Sequence, residues 1–172
     1  HPTGIIGPYD FKPSRMGKVL QDIANRKMPV AINNGFNWVD VRDVAKSAVN
    51  CIERGIDGQN YILPGHWASM PHLSSLVKRI TGRRTHLLTV PFWMGYLALP
   101  FASISSKITG KRPSFSKGSL QALAIQCRDI PGDLAQDHLG HNPRLIEDTI
   151  SDTVSWLFDK NEVVINDFLN PR

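Results

Sequence analysis

Apolar positions along this chain alternate between two periods, the helical spacing of three to four residues and short extended runs between helices. Met16, Val19, Leu20 and Ile23 share one face of a predicted helix opening at Pro13-Ser14. Ala45, Ala48, Val49 and Ile52 repeat that spacing in a helix from Val44 to a stop at Gly55, with Asp43 as the predicted N-cap. Leu73, Leu76, Val77 and Ile80 mark a third, capped by Ser69 and closed by Gly82. Ser116 caps a fourth that runs to about Gln126, and Pro131–Leu139 forms a short fifth ended by Gly140. The last covers Leu145–Phe158, with Ile146, Ile150, Val154 and Leu157 inward. Strands are predicted at residues 2–6, Pro29–Ile32, Phe36–Asp40, Asn60–Leu63 and His86–Val90. Asn34-Gly35 has the chemistry of a hairpin-type turn into the third strand, and a two-residue turn follows it before the helix.

Short strands separated by helices give an α/β fold, a small sheet with flanking helices. Right-handed crossovers would place its parallel strands, four or five of them, in one sheet. The expected organisation is one folded region over residues 1–159 and a loosely held tail over 160–172. With 172 residues, 41% hydrophobic and 20% charged, the chain is long and apolar enough for one ordinary core. Cys51 falls in an apolar helical pattern and is expected to fill the core, and two distant cysteines fit a reducing cytoplasm.

The formal charge of +5 is scattered, and Lys78-Arg79 and Arg83-Arg84 flank a predicted helix end, where cations are favoured. No basic stripe with interleaved aromatics suggests nucleic acid. The apolar stretch from Leu87 to Ile104 is about long enough to cross a bilayer, but Pro91 and Pro100 interrupt it. It is expected to line an apolar pocket rather than to span. No signal peptide is visible, and a chain that starts at His1 is expected to lack an original N-terminal part.

Several motifs occur in a fixed order: Pro2 to Pro8, Asn37 to Ala45, Gly58 to Tyr61, Pro64-Gly65, Leu139 to Arg144, and Trp156. Together they resemble the C-terminal, substrate-binding half of an extended short-chain dehydrogenase/reductase of the NAD-dependent epimerase/dehydratase superfamily. Pro2-Thr3 and Pro13-Ser14 place the resemblance on its dihydroflavonol reductase and hydroxysteroid dehydrogenase side. The family's cofactor loop and catalytic pair are not in this chain. Gly4-x-x-Gly7 and Gly55-x-x-Gly58 both lack the third glycine of a dinucleotide fingerprint. No Tyr has a Lys four residues on, since Pro13, Gly65 and Pro100 follow Tyr9, Tyr61 and Tyr96. No catalytic residue is therefore assigned here, and the missing N-terminal half is the expected partner.

The resemblance implies that Pro2, Thr3, Gly4 and Ile5 pass beside the nicotinamide of NAD or NADP. It also implies that Ser14 reaches a cofactor phosphate or ribose from a helix N-terminus. Relatives acting on nucleotide-sugars often carry Arg where this chain has Asn37, because a pyrophosphate wants a bidentate cation. Asn37 suits a hydroxyl or carbonyl on an uncharged substrate, so an Asn37→Ala change is expected to cost activity rather than stability. Phe36, Trp38 and Trp93, with Phe92, Met94 and Tyr96, are the expected apolar walls around a small ketone or alcohol.

His138-x-x-His141 has ligand-like spacing, but Gly140 breaks the helix between the rings, and no metal is assigned. Lys12, Asp40 and Asp43 are explained by capping and surface roles. Two other classes stand beside the reductase: a nucleotide-sugar epimerase or dehydratase, and a non-catalytic sensor that kept the fold. A homodimer is expected if the strands at Thr3–Ile6 and Asn60–Leu63 leave an unpaired edge.

Overall fold

The computed structural model describes residues 1–12, 14–28, 30–82, 88–95 and 117–160. In chain order the elements are β1 (Gly4–Ile6), α1 (Arg15–Ala24), β2 (Val30–Ile32), β3 (Gly35–Asp40), α2 (Val41–Arg54), β4 (His66–Ser69), α3 (Met70–Thr81), β5 (Leu88–Val90), α4 (Lys117–Ala124), α5 (Asp133–Leu139) and α6 (Ile146–Asp159). The predicted α/β architecture is present, but among the described residues the strands form two sheets rather than one. β1, β3 and β4 make a mixed sheet in the order β1-β3-β4, and β2 pairs in parallel with β5 in a second.

That division removes the expected hairpin at Asn34-Gly35. β2 and β3 lie in different sheets, and Asn34 turns the chain between them by accepting from the Met70 N–H. The expected strand at Asn60–Leu63 is reduced to a single bridge, Pro2 to Leu63, with backbone bonds from Thr3 to Leu63 and from Leu63 to His1. The strand that does form, β4, begins just past Pro64-Gly65 and runs antiparallel to β3. Gly65 permits this crossing. A Cβ there would stand 1.7 Å from the Trp38 carbonyl oxygen, so only glycine fits against the β3 backbone.

One face of the mixed sheet carries the main core. Ile6 and Trp38 meet Leu20 and Ile23 of α1, Leu73, Leu76 and Val77 of α3, and Ile146, Ile150, Val154 and Leu157 of α6. The helical periods predicted for these three helices are therefore the faces that are buried. Ser69 caps α3 by accepting from the His72 N–H, and Gly82 closes it in a left-handed conformation. Gly140 closes α5 in the same way. The predicted cap at Ser116 and the tail from residue 161 lie outside the described residues, as does most of the apolar stretch after residue 95.

α2 departs most from expectation. It starts directly at the end of β3, without a turn, because Asp40 accepts from the Arg42 N–H and caps it. Asp43 is one turn further in, where it is buried. The side facing the protein is polar: Asp43 and Ser47 are buried, and Asn50 donates to the Leu139 carbonyl. Ala45, Ala48, Val49 and Ile52 face outward instead, and Cys51, expected in the core, is exposed. Polar anchoring decides the rotation, since a buried carboxylate and hydroxyl need fixed partners that α5 and the following loop supply. No helix among the described residues is long and apolar enough to cross a membrane.

Candidate functional site

Asn37 lies on the face of β3 opposite the main core, where β1 and β4 flank it. The antiparallel register sets Trp67 directly across from Asn37, and cross-strand partners share a face. Asn37 is 4% exposed, and both ends of its amide have hydrogen-bond partners. Its Oδ1 accepts from Gly65 N at 2.7 Å and from Thr3 Oγ1 at 3.0 Å, while Nδ2 donates to the Arg128 carbonyl at 3.4 Å. The side chain thus ties together β1, the turn before β4 and the loop before α5. It also lines an open cavity of about 480 Å³ with Gly65, His66, Trp67, Arg128, Asp129, Ile130 and Pro131. The Arg128 guanidinium stands over the Trp67 ring at 5.4 Å.

Successive strand residues point to opposite faces, so Phe36 and Trp38 cannot wall the cavity that Asn37 lines. Trp38 is 2% exposed in the main core and donates its indole N–H to the Ala68 carbonyl. Phe36 packs edge-on against it and reaches the small cluster of Ile32 and Leu120. Both are structural residues here, which corrects their expected role as substrate walls. Trp93 is exposed on the helical turn over residues 92–95, and it does not line the Asn37 cavity. Tyr96 lies outside the described residues.

The cofactor candidates divide in the same way. Thr3 touches Asn37, and Gly4 pairs with Trp38 across β1 and β3. Ile5 and Ser14 line a second cleft of about 330 Å³ with Gly7, Pro8, Tyr9, Asp10 and Gly17. Pro2 is exposed beside Leu63. Ser14 caps α1 by accepting from the Gly17 N–H at 3.0 Å, and the Asp10 carboxylate accepts from the Ser14 N–H at 2.8 Å. An anion already sits at this helix N-terminus, where it opposes a phosphate.

Linked ion pairs tie α2 to α6 and to the segment just before α6. Arg144 grips Asp43 with its guanidinium and its backbone N–H, at 2.8 Å and 2.9 Å. Burial pushes the Asp43 carboxyl up, but the Arg144 hydrogen bonds outweigh it and hold the group below its usual value. Asp40 follows the same logic. Its burial is outweighed by the Arg42 side chain and N–H and by Thr149, and its carboxyl also titrates low. Arg42 reaches on to Asp152 of α6 at 2.7 Å.

The two histidines of the suspected metal spacing go to separate partners. His138 Nδ1 meets the Tyr61 hydroxyl, and buried His141 bridges Ser47 and the Pro64 carbonyl. A carbonyl only accepts, so His141 carries a proton on Nε2, and in the neutral ring its Nδ1 accepts a hydrogen bond from the Ser47 hydroxyl. His141 therefore pins α2 to the Pro64-Gly65 turn at the cavity's edge. Sequence reasoning missed Trp67 and Arg128. For Trp67 the signal was the alternation of residues 66–69, hidden behind Pro64-Gly65. Arg128 sits in a loop with no periodic cue.

No protein-family model matches the chain. Over 163 residues it is 31% identical to a Synechocystis protein provisionally named dihydroflavonol 4-reductase, covering 91% of this chain and 46% of that one. Over 167 residues it is 26% identical to sterol demethylase protein B of Methylococcus capsulatus, covering 95% and 50% respectively. The crystal structure of gox2253 superposes with a TM-score of 0.76 at 27% identity, over 95% of this chain and 49% of that one. The chain is one half of an extended short-chain dehydrogenase/reductase fold. A nucleoside-diphosphate-sugar epimerase from Pseudomonas aeruginosa shares the fold at 21% identity and a TM-score of 0.72, over 95% of this chain and 48% of that one. So does RMD from the same organism, solved with NADPH, at 15% and 0.62, over 93% and 48%. The chain spans about half the length of the curated relatives it matches.

Proposed function

We propose that this chain is the substrate-binding part of an NAD(P)-dependent oxidoreductase that acts on a small, mainly apolar ketone or alcohol. The observation that carries this reading is the Thr3–Asn37 hydrogen bond. The strand end matched to the nicotinamide-facing motif and the floor of the cavity share one wall through that bond. A substrate in the cavity would lie beside the Thr3 end of the strand whose residues Pro2 to Ile5 would hold the nicotinamide, and that group would supply hydride when bound. Gly65, Trp67 and Pro131 shape the space, while Asn37, whose amide is engaged, fixes the wall rather than reaching far into it. Ser14, with the Asp10 carboxylate beside it, suits a ribose hydroxyl better than a phosphate. The glycine loop and the proton-transferring Tyr would come from a cofactor-binding half that covers the outward apolar face of α2.

The test is a chimaera joining the cofactor half of the Synechocystis relative to this chain. It is expected to bind NAD(P)H and to oxidise it in the presence of ketones, and Thr3→Val is expected to weaken both. The isolated chain is expected to do neither. A folded chimaera that binds no cofactor, or micromolar cofactor binding by the chain alone in calorimetry, overturns the reading. The nucleotide-sugar alternative predicts turnover of UDP-sugars by the same chimaera.

A further inference from the structure

We infer that the Asn37 cavity binds the acidic group, carboxylate or phosphate, of a substrate whose body is otherwise apolar, and that Arg128 holds it. This rests on the reading of the cavity as the substrate site and names the chemistry it selects. Arg128 is exposed at the cavity and pairs with no carboxylate among the described residues. What holds it is the face of Trp67, at 5.4 Å. A guanidinium held over an aromatic face by cation–π attraction spends none of its N–H groups on that contact, which leaves them for the fork geometry that matches a carboxylate or phosphate. Its backbone is also fixed, since the Arg128 carbonyl accepts from Asn37 Nδ2.

The remaining walls sort by chemistry. Trp67, Ile130 and Pro131 offer apolar surface, and His66 is committed to the Pro143 carbonyl at 3.3 Å. Asp129 lines the same cavity and opposes an anion, so its charge sets how tightly the acid is held. This arrangement departs from the uncharged substrate expected from Asn37 alone, because the cation the sequence lacked at residue 37 arrives from a loop ninety-one residues away.

The experiment is a titration of the full chain followed by amide and indole nitrogen–proton correlation spectra. The probes are 4-phenylbutyrate, phenyl phosphate and the neutral methyl ester of the first. Both acids are expected to move the Trp67 indole and Gly65 amide signals saturably, with the ester at least about tenfold weaker. The tighter acid identifies which group the site favours. Arg128→Ala is expected to weaken both acids about tenfold or more, and Asp129→Asn, which keeps Arg128, to tighten them. Equal binding of ester and acid overturns the inference, as does no shift with any probe or unchanged binding in Arg128→Ala. The chimaera separates this from the broader reading. Turnover of neutral ketones untouched by Arg128→Ala sinks the acidic-group assignment and leaves the oxidoreductase standing, whereas acid binding without cofactor chemistry does the reverse.

Discussion

The rotation of α2 gives the sharpest test, because two substitutions on one helix are expected to behave opposite to what its sequence pattern suggests. Ile52 is 86% exposed and Val49 59%, so Ile52→Lys removes almost no packing and is expected to change stability by no more than about 0.5 kcal/mol. Ser47 looks dispensable by pattern, yet its hydroxyl donates to Nδ1 of neutral His141, which is buried. Ser47→Ala strands that acceptor and is expected to cost about 1–3 kcal/mol. If the apolar side faced the core instead, the order would invert. Ile52→Lys would then cost more than the roughly 2–5 kcal/mol of a large-to-small core change, and Ser47→Ala would be nearly silent. Urea unfolding of the two variants at low micromolar concentration decides between these outcomes. A stable Ser47→Ala protein beside a collapsed Ile52→Lys protein refutes the argument. The same exposed stripe, with Ile56, leaves roughly two aliphatic side chains' worth of surface in water, a reserve of about 3–6 kcal/mol for whatever covers it. Ile52→Lys should therefore weaken association with a cofactor half, or self-association, without unfolding the chain.

Other expectations follow from the site. Asn37→Ala is expected to lower stability by about 1–3 kcal/mol, since it leaves the Gly65 N–H without its acceptor, which revises the activity-only effect expected from sequence; an unchanged melting temperature would show that the hub bears no load. Asp43→Ala should cost about 2–3 kcal/mol, toward the low end for a broken ion pair because the Arg144 side chain is a third exposed. Asp40 and Asp43 both titrate low in the folded protein. Their contribution is therefore complete above the unfolded carboxylate value near 4 and is lost as pH falls through their folded values. Asp43→Asn should flatten that acid limb of a stability–pH curve, and an unaltered curve counts against the pairing. Gly65→Ala is expected to disrupt the β3–β4 crossing by driving a methyl into the Trp38 carbonyl, read as a lost cooperative transition.

The order of motifs and the periods of α1, α3 and α6 were legible in the sequence because those helices bury their apolar faces within the chain itself. Local rules also fixed the ends at Ser69, Gly82 and Gly140, where one side chain or one left-handed glycine closes a helix. The α2 pattern was equally plain and equally amphipathic, but periodicity names a face without saying what covers it. Its polar side wins the interior because Asp43, Ser47 and Asn50 meet partners 101, 94 and 89 residues away, at Arg144, His141 and Leu139. The site divides the same way. Alternation along Phe36, Asn37 and Trp38 already meant that the three could not share one pocket, and that much was readable from the strand period alone. That Trp67 stands across from Asn37, and that Arg128 comes over it, depended on β4 forming antiparallel to β3 and on a loop folding back. Contacts of that range are set by register and packing, which no local window of residues contains.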